Sequence, residues 1–283
     1  MGAIPKGLAS ETSHSENRYR QYRRPTGPIM WVGPNQASMT RGAIVVGASS
    51  GIGEALVREL ADRGYEVGLA ARRTERMAEI GAELPTQSYV ATMDVTETED
   101  AREAFFELTE AMDSVDVVVL NAGVGHSNHD LDWSLERETI DVNVRGFVAL
   151  ATAAMSYFEE RADPASERDG HLVGISSVAA HAGVGGLQAY NASKAFVSSY
   201  LEGLRTRRLG VDSDVAITTV EPGFVDTRLS GGEFWQCSPE TAAAQIARAI
   251  DRERSHVYVT RRWRLVAWTL DLMPNTVVRR LLG

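Results

Sequence analysis

Four side chains in this sequence are of the types that move a proton to or from a carbon-bound oxygen. Tyr190 and Lys194 stand four residues apart in Tyr190-Asn191-Ala192-Ser193-Lys194, a spacing that puts both on one face of a helix. A free phenol titrates at about 10, too high to exchange a proton readily at neutrality, and an ammonium beside it favours the phenolate. Ser177, in Ile175-Ser176-Ser177, offers a hydroxyl to a substrate oxygen on which charge develops. Asn143, in Val142-Asn143-Val144-Arg145-Gly146, completes the set. Lysine is rare here: the only two are Lys6 and Lys194, and every other basic residue is arginine. A position that keeps lysine in such a chain needs a compact, flexible ammonium that a guanidinium cannot imitate.

A second group of residues suits phosphate recognition. Gly47-Ala48-Ser49-Ser50-Gly51-Ile52-Gly53 joins an apolar run to a helical stretch. Such a turn lets backbone N–H groups approach a pyrophosphate, whose charge the helix N-terminus favours. Read alone, it is equally a tight strand-to-helix turn with no ligand. Asp94-Val95 and Asn121-Ala122-Gly123 follow at the ends of later apolar runs.

Taken in order with Asn143, Ser177, Tyr190 and Lys194, the Gly-x3-Gly-x-Gly spacing resembles the short-chain dehydrogenase/reductase family, over nearly everything from Arg41 to Thr227. The resemblance implies that Asp94 and Val95 face the adenine ring and that Asn121, Ala122 and Gly123 support sheet and cofactor. It implies that Lys194 holds the nicotinamide ribose and that Asn143 holds a water linking this lysine to solvent. The family's spacing of thirteen residues before the tyrosine selects Ser177 over Ser176. Pro222-Gly223-Phe224-Val225-Asp226-Thr227 resembles the stretch that fixes the carboxamide, with Val225 acting through its backbone and Thr227 through its hydroxyl. Pro-Gly after a strand is also an ordinary turn. One departure is Val46, where the family often has threonine before the first glycine.

Cofactor choice reads from Leu69-Ala70-Ala71-Arg72-Arg73. An acidic side chain at the end of this run would bond the ribose hydroxyls and favour NAD. Ala71 stands there instead, Arg72 offers a fork to a 2′-phosphate, and Ser49 adds a hydroxyl, so NADP(H) is expected. The activity expected is hydride transfer between the nicotinamide and a carbonyl or secondary alcohol. One alternative is a non-catalytic NADP(H)-binding redox sensor or scaffold, which the complete proton-relay set argues against; another is a membrane-peripheral reductase of a lipid-like carbonyl.

The elements that must position these groups alternate along the chain. β-branched runs at 43–46, 66–70, 88–93, 115–120, 171–175, 215–220 and 257–259 predict strands, and helical periodicity marks 53–63, 74–82, 98–112, 135–158, 189–209 and 239–251. This pattern predicts one α/β domain from about residue 39 to the end, a Rossmann-type, doubly wound, parallel seven-stranded sheet. Residues 1–38 lack apolar periodicity and read as a disordered leader or a misplaced start.

A single cysteine excludes a disulfide framework, no histidines have metal-ligand spacing, and no apolar run approaches a membrane span, so a cytoplasmic protein is expected. The net charge of -9 is concentrated between basic ends, which excludes nucleic acid as a partner of the body. An acidic, lysine-poor surface fits a salt-rich cytoplasm or an arginine-favouring genome equally. The basic, tryptophan-bearing segment 261–282 suits an interfacial helix on an anionic membrane, or a helix packed on the domain or a second subunit; Asp271 and Pro274 interrupt its stripe and favour packing. The resemblance also implies a homodimer or homotetramer paired through 135–158 and 189–209. Phe224, Phe234 and Trp235, with Trp133, Val184 and Leu187, predict an apolar substrate pocket under a lid hinged at Gly231-Gly232.

Overall fold

Short runs of β-branched and small residues form the centre of the molecule, as their burial on both faces requires. The structure is a computed structural model that describes residues 29–32, 41–162, 169–207, 214–227, 234–273 and 276–277. Its strands are β1 (Met30–Val32), β2 (Gly42–Val46), β3 (Glu66–Ala71), β4 (Ser88–Thr92), β5 (Val117–Leu120), β6 (Gly170–Ile175), β7 (Val215–Pro222) and β8 (His256–Val259). They lie in the order β1-β4-β3-β2-β5-β6-β7-β8. The seven strands from β2 onward are parallel, as expected.

β1 departs from the reading of residues 1–38 as a disordered leader or a misplaced start at residues 30–32; residues 1–28 and 33–38 lie outside the described residues. It pairs antiparallel with β4, Met30 opposite Val90 and Val32 opposite Ser88, and adds an eighth strand at the edge. Three residues are too few to show alternation in sequence, and an edge strand needs only one neighbour's backbone.

The helices are α1 (Gly51–Asp62), α2 (Thr74–Ala82), α3 (Thr98–Ala111), α4 (Trp133–Ile140), α5 (Phe147–Glu160), α6 (Gln188–Arg207), α7 (Pro239–Ile250) and α8 (Trp263–Leu272). Alternate residues of one strand point to opposite layers: Ala43 and Val45 pack with Leu56, Met77 and Ile246, whereas Ile44 and Val46 pack with Phe105, Leu150 and Val197. Thus α1, α2 and α7 cover one face and α3, α5 and α6 the other, the doubly wound arrangement. The strand order reverses between β2 and β5, and the crevice outside their carboxyl ends is where such sheets bind ligands.

The stretch predicted as one helix over 135–158 is interrupted by a π-helical turn, Asp141–Gly146, between α4 and α5. Residues 208 and 209 of the next predicted helix lie outside the described residues, as do Gly231-Gly232, Pro274 and 278–283. In α8, Trp263 and Ala267 are buried against the domain, so the packed alternative for this segment describes its inner face. Among the described residues no helix is long and apolar enough to cross a membrane.

Candidate active site

The turn between β2 and α1 takes its shape from its glycines. Gly47 has φ +87°, a left-handed conformation that side chains rarely adopt, and its N–H donates to the Ala70 carbonyl at 2.7 Å. At Gly53 a Cβ would stand 2.1 Å from the Gly47 oxygen and 2.6 Å from Asn121 Nδ2. Only glycine lets α1 approach the sheet this closely. Asn121 Nδ2 donates to that same Gly47 oxygen at 3.0 Å, which explains the Asn-Ala-Gly motif at the end of β5 as a brace for the turn.

The brace opens onto a cleft of about 930 Å³, lined by the turn, by Asp94 and Val95 after β4, by Asn121, Ala122 and Gly123, and by Thr227. Asp94 Oδ1 accepts from the backbone N–H and the hydroxyl of Thr96 at 3.0 and 2.8 Å, fixing the loop that forms the wall. At the end of β3, Ala71, Arg72 and Arg73 complete the lining. Arg72 is exposed at the cleft. Arg73, which has no assigned role in the sequence reading, bonds the carbonyl and the hydroxyl of Ser49, each at 3.0 Å. The residues fit a dinucleotide: a glycine cradle at a helix N-terminus, then two guanidiniums at the end of β3.

The proton-handling residues meet at the carboxyl ends of β5 and β6. Ser177 caps a 3₁₀ turn, Val178–His181, its Oγ accepting from the Ala179 N–H at 3.1 Å. Its hydroxyl also bonds Tyr190. Ser176, one residue earlier, is engaged elsewhere, donating to the Lys194 carbonyl at 2.8 Å. This separates the two serines as the spacing did. Burial pushes the Tyr190 phenol above its ordinary value, opposed only by the Ser177 hydroxyl. Lys194 is buried, and desolvation lowers its ammonium to about 8. Its Nζ donates to the Ile175 carbonyl at 3.0 Å and lies 5.9 Å from the centre of the Tyr190 ring. The expected lowering of the phenol by the ammonium has no counterpart here, where burial is the larger influence on the phenol.

The π-helical turn explains Asn143. Widening the helix there turns the side chain toward the chain leaving β5, where Oδ1 accepts from the Val124 N–H at 2.9 Å. Nδ2 donates to the Val124 carbonyl at 2.8 Å and to Ser193 Oγ at 2.9 Å. One amide thus ties the cleft wall to the helix that carries Tyr190 and Lys194.

A second cavity, of about 810 Å³, begins at these residues and is lined mostly by apolar side chains, among them Val178, Val184, Leu187, Phe224 and Phe234. It shares Ile52, Asn121, Gly123 and Thr227 with the nucleotide-sized cleft, so the two spaces join. Trp133, expected here, is 67% exposed and outside the lining; Trp235 stacks on Phe234 from outside, ring centres 4.6 Å apart. Sequence reasoning missed the wall that α8 supplies through Trp263, Val266 and Leu270. Trp263 lies against Gly223, where a Cβ would fall 2.0 Å from the indole, so this glycine of the Pro-Gly pair makes room for a ring. Val225 pairs with Cys237 in an isolated bridge.

Also unforeseen is a polar clamp behind the cavity. His181 Nε2 bonds Glu221 Oε2 at 2.7 Å and its Nδ1 bonds Asp271 Oδ1 at 2.9 Å, joining the 3₁₀ turn, β7 and α8. Glu221 is buried yet held down at about 2, because hydrogen bonds from His181 and His256 outweigh its desolvation. Asp271, which interrupts the apolar stripe in sequence, is thereby an anchor of α8.

Comparison with known proteins agrees with this fold. The family described as short chain dehydrogenase matches residues 41–236. An uncharacterized oxidoreductase of Myxococcus xanthus is 37% identical over 67% of this chain and 74% of its own length. The farnesol dehydrogenase of Aedes aegypti is 34% identical over 66% of this chain and 78% of its own. Among solved structures, a short chain dehydrogenase from Burkholderia cenocepacia in complex with NADP has the same fold, with a TM-score of 0.72 at 21% identity, covering 86% of this chain and 98% of that one.

Proposed function

This chain belongs to the short-chain dehydrogenase family, and we propose that it is an NADP(H)-dependent oxidoreductase acting on a carbonyl or secondary alcohol of an apolar small molecule. The reading is carried by one observation: Ser177, Tyr190 and Lys194 converge where an apolar cavity joins the glycine-cradled cleft. A nicotinamide cofactor, when bound, supplies or accepts the hydride. Arg72, Arg73 and Ser49 would hold its 2′-phosphate, and Gly47, Ser50, Gly51, Ile52 and Gly53 its pyrophosphate. Pro222, Gly223, Val225 and Thr227 would border its nicotinamide end.

Within the cavity Ser177 donates to the substrate oxygen. Tyr190, kept protonated through neutral pH by its burial, gives its phenolic proton to that oxygen in the reductive direction. Lys194 places a positive charge beside the ring, and Asn143 keeps the tyrosine-bearing helix against the cleft wall. The apolar lining excludes water and recognises the substrate by burial, which is worth about 0.8 kcal/mol for each methylene, or roughly fourfold in kcat/KM. The relative that acts on farnesol supports such a substrate class.

Following NADPH absorbance against ketones and aldehydes of increasing apolar size tests this. The expected result is a rise of at least tenfold in kcat/KM from the smallest to medium-sized substrates; a flat or inverse series removes the apolar assignment. Pairing of two copies through α4, α5 and α6 belongs to the same proposal, and Ile140 and Phe196 lie exposed on those helices.

A further inference from the structure

Among the described residues six arginines sit against carboxylates, Arg58, Arg63, Arg76, Arg145, Arg205 and Arg207, and twelve do not. Five of the twelve are gathered in one place. Arg248, Arg252, Arg254, Arg261 and Arg264 have no ion-pair partner among the described residues, and all five line one cleft of about 770 Å³. The cleft lies between α7, β8 and α8 and shares no lining residue with the nucleotide cleft or the apolar cavity.

The neighbouring carboxylates are committed elsewhere. Asp251 pairs with Arg63, Asp271 with His181, and Glu221 with both His181 and His256. Glu253, between two of the arginines, is not part of the lining. Five like charges gathered in a concavity repel one another, and the lining of the cleft holds no carboxylate. The floor is apolar and aromatic, with Val257, Tyr258 and Trp268, and the Arg264 guanidinium lies 4.9 Å from the Trp268 ring centre.

Guanidinium forks match phosphate oxygens in pairs, and a cleft of this size suits a small ligand. We propose that this cleft binds a small anion carrying two or more phosphate groups on an apolar or aromatic body. A second copy of the chain is a poor occupant, because a two-fold contact would lay the same five charges against themselves. The opposite face of α8 lines the apolar cavity, so a ligand seated here holds that wall against α7.

The test is calorimetric titration of inorganic tripolyphosphate into the full chain, with and without saturating NADP+, at about physiological ionic strength. The expected result is one site per chain in both conditions. The double variant Arg248→Gln/Arg261→Gln weakens it at least tenfold, and Arg58→Gln on α1 leaves it unchanged. Both altered side chains are exposed, and an unchanged thermal midpoint in the absence of ligand verifies the fold. A parallel arm floats the protein with phosphatidylcholine vesicles, plain or containing a minor fraction of phosphatidylinositol bisphosphate. Flotation on the phosphoinositide vesicles alone, lost in the double variant, assigns the phosphates to a lipid headgroup; soluble binding alone assigns them to a free metabolite. Absence of both, or binding indifferent to the double variant, overturns the proposal and leaves the cofactor reading untouched.

Discussion

Replacing Lys194 by methionine should make the protein more stable while removing its activity. The ammonium is lowered from 10.5 to about 8 by burial. At roughly 1.36 kcal/mol for each pH unit, the charged side chain therefore costs the folded state about 3 kcal/mol. The sign follows from proton counting. Below the folded value both states are charged and the full penalty applies. Between the two values the unfolded chain holds a proton that the folded one has released, so stability rises with pH. The penalty shrinks to about 1 kcal/mol near pH 9.5 and vanishes above the unfolded value. Methionine fills similar volume but leaves the Ile175 carbonyl without its donor, at a cost of about 1 kcal/mol. Urea unfolding of the cofactor-free protein should thus find Lys194→Met more stable than wild type by about 2 kcal/mol at neutral pH and nearly equal to it near pH 9.5. A variant less stable at neutral pH, or a difference that does not change with pH, would refute the reasoning that this lysine is retained for chemistry against its folding cost.

Two further outcomes follow from the nucleotide cleft. Arg72→Ala and Arg73→Ala should each raise the dissociation constant for NADPH at least tenfold and leave that for NADH nearly unchanged in cofactor fluorescence titrations; equal losses for both cofactors would remove the 2′-phosphate assignment. Gly53→Ala would drive its Cβ against the Gly47 carbonyl and the Asn121 amide, so it should lower stability by about 1–3 kcal/mol and weaken either cofactor, read by thermal melts and the same titration.

The parallel sheet and the residues of the site were legible because each leaves a local mark. β-branched runs bounded by turn residues mark β2 to β8, and four residues of helix bring Tyr190 and Lys194 to one side. What stayed illegible depends on distance in sequence. Arg73 rather than Arg72 bonds Ser49 because of how the chain leaves β3, which no spacing announces. His181, Glu221 and Asp271 come from three separate elements and meet only in the folded chain. The π-helical turn at Asn143 keeps apolar periodicity on both sides and shows itself only in backbone hydrogen bonding. β1 is short and paired at one edge, so no pattern could mark it. Trp133 misled for the opposite reason: an aromatic near pocket-forming sequence suggested a lining role, yet its place at the start of α4 turns it to solvent.

The central claim is that Tyr190 exchanges the substrate proton beside a bound nicotinamide. Its most direct measurement compares wild type with Tyr190→Phe for turnover of the best carbonyl substrate and for NADPH affinity. The account predicts that kcat falls by at least a thousandfold, the upper part of the roughly 10²–10⁴ range of general acid catalysis, while the dissociation constant for NADPH stays within about twofold. Retained turnover in the phenylalanine variant would contradict it.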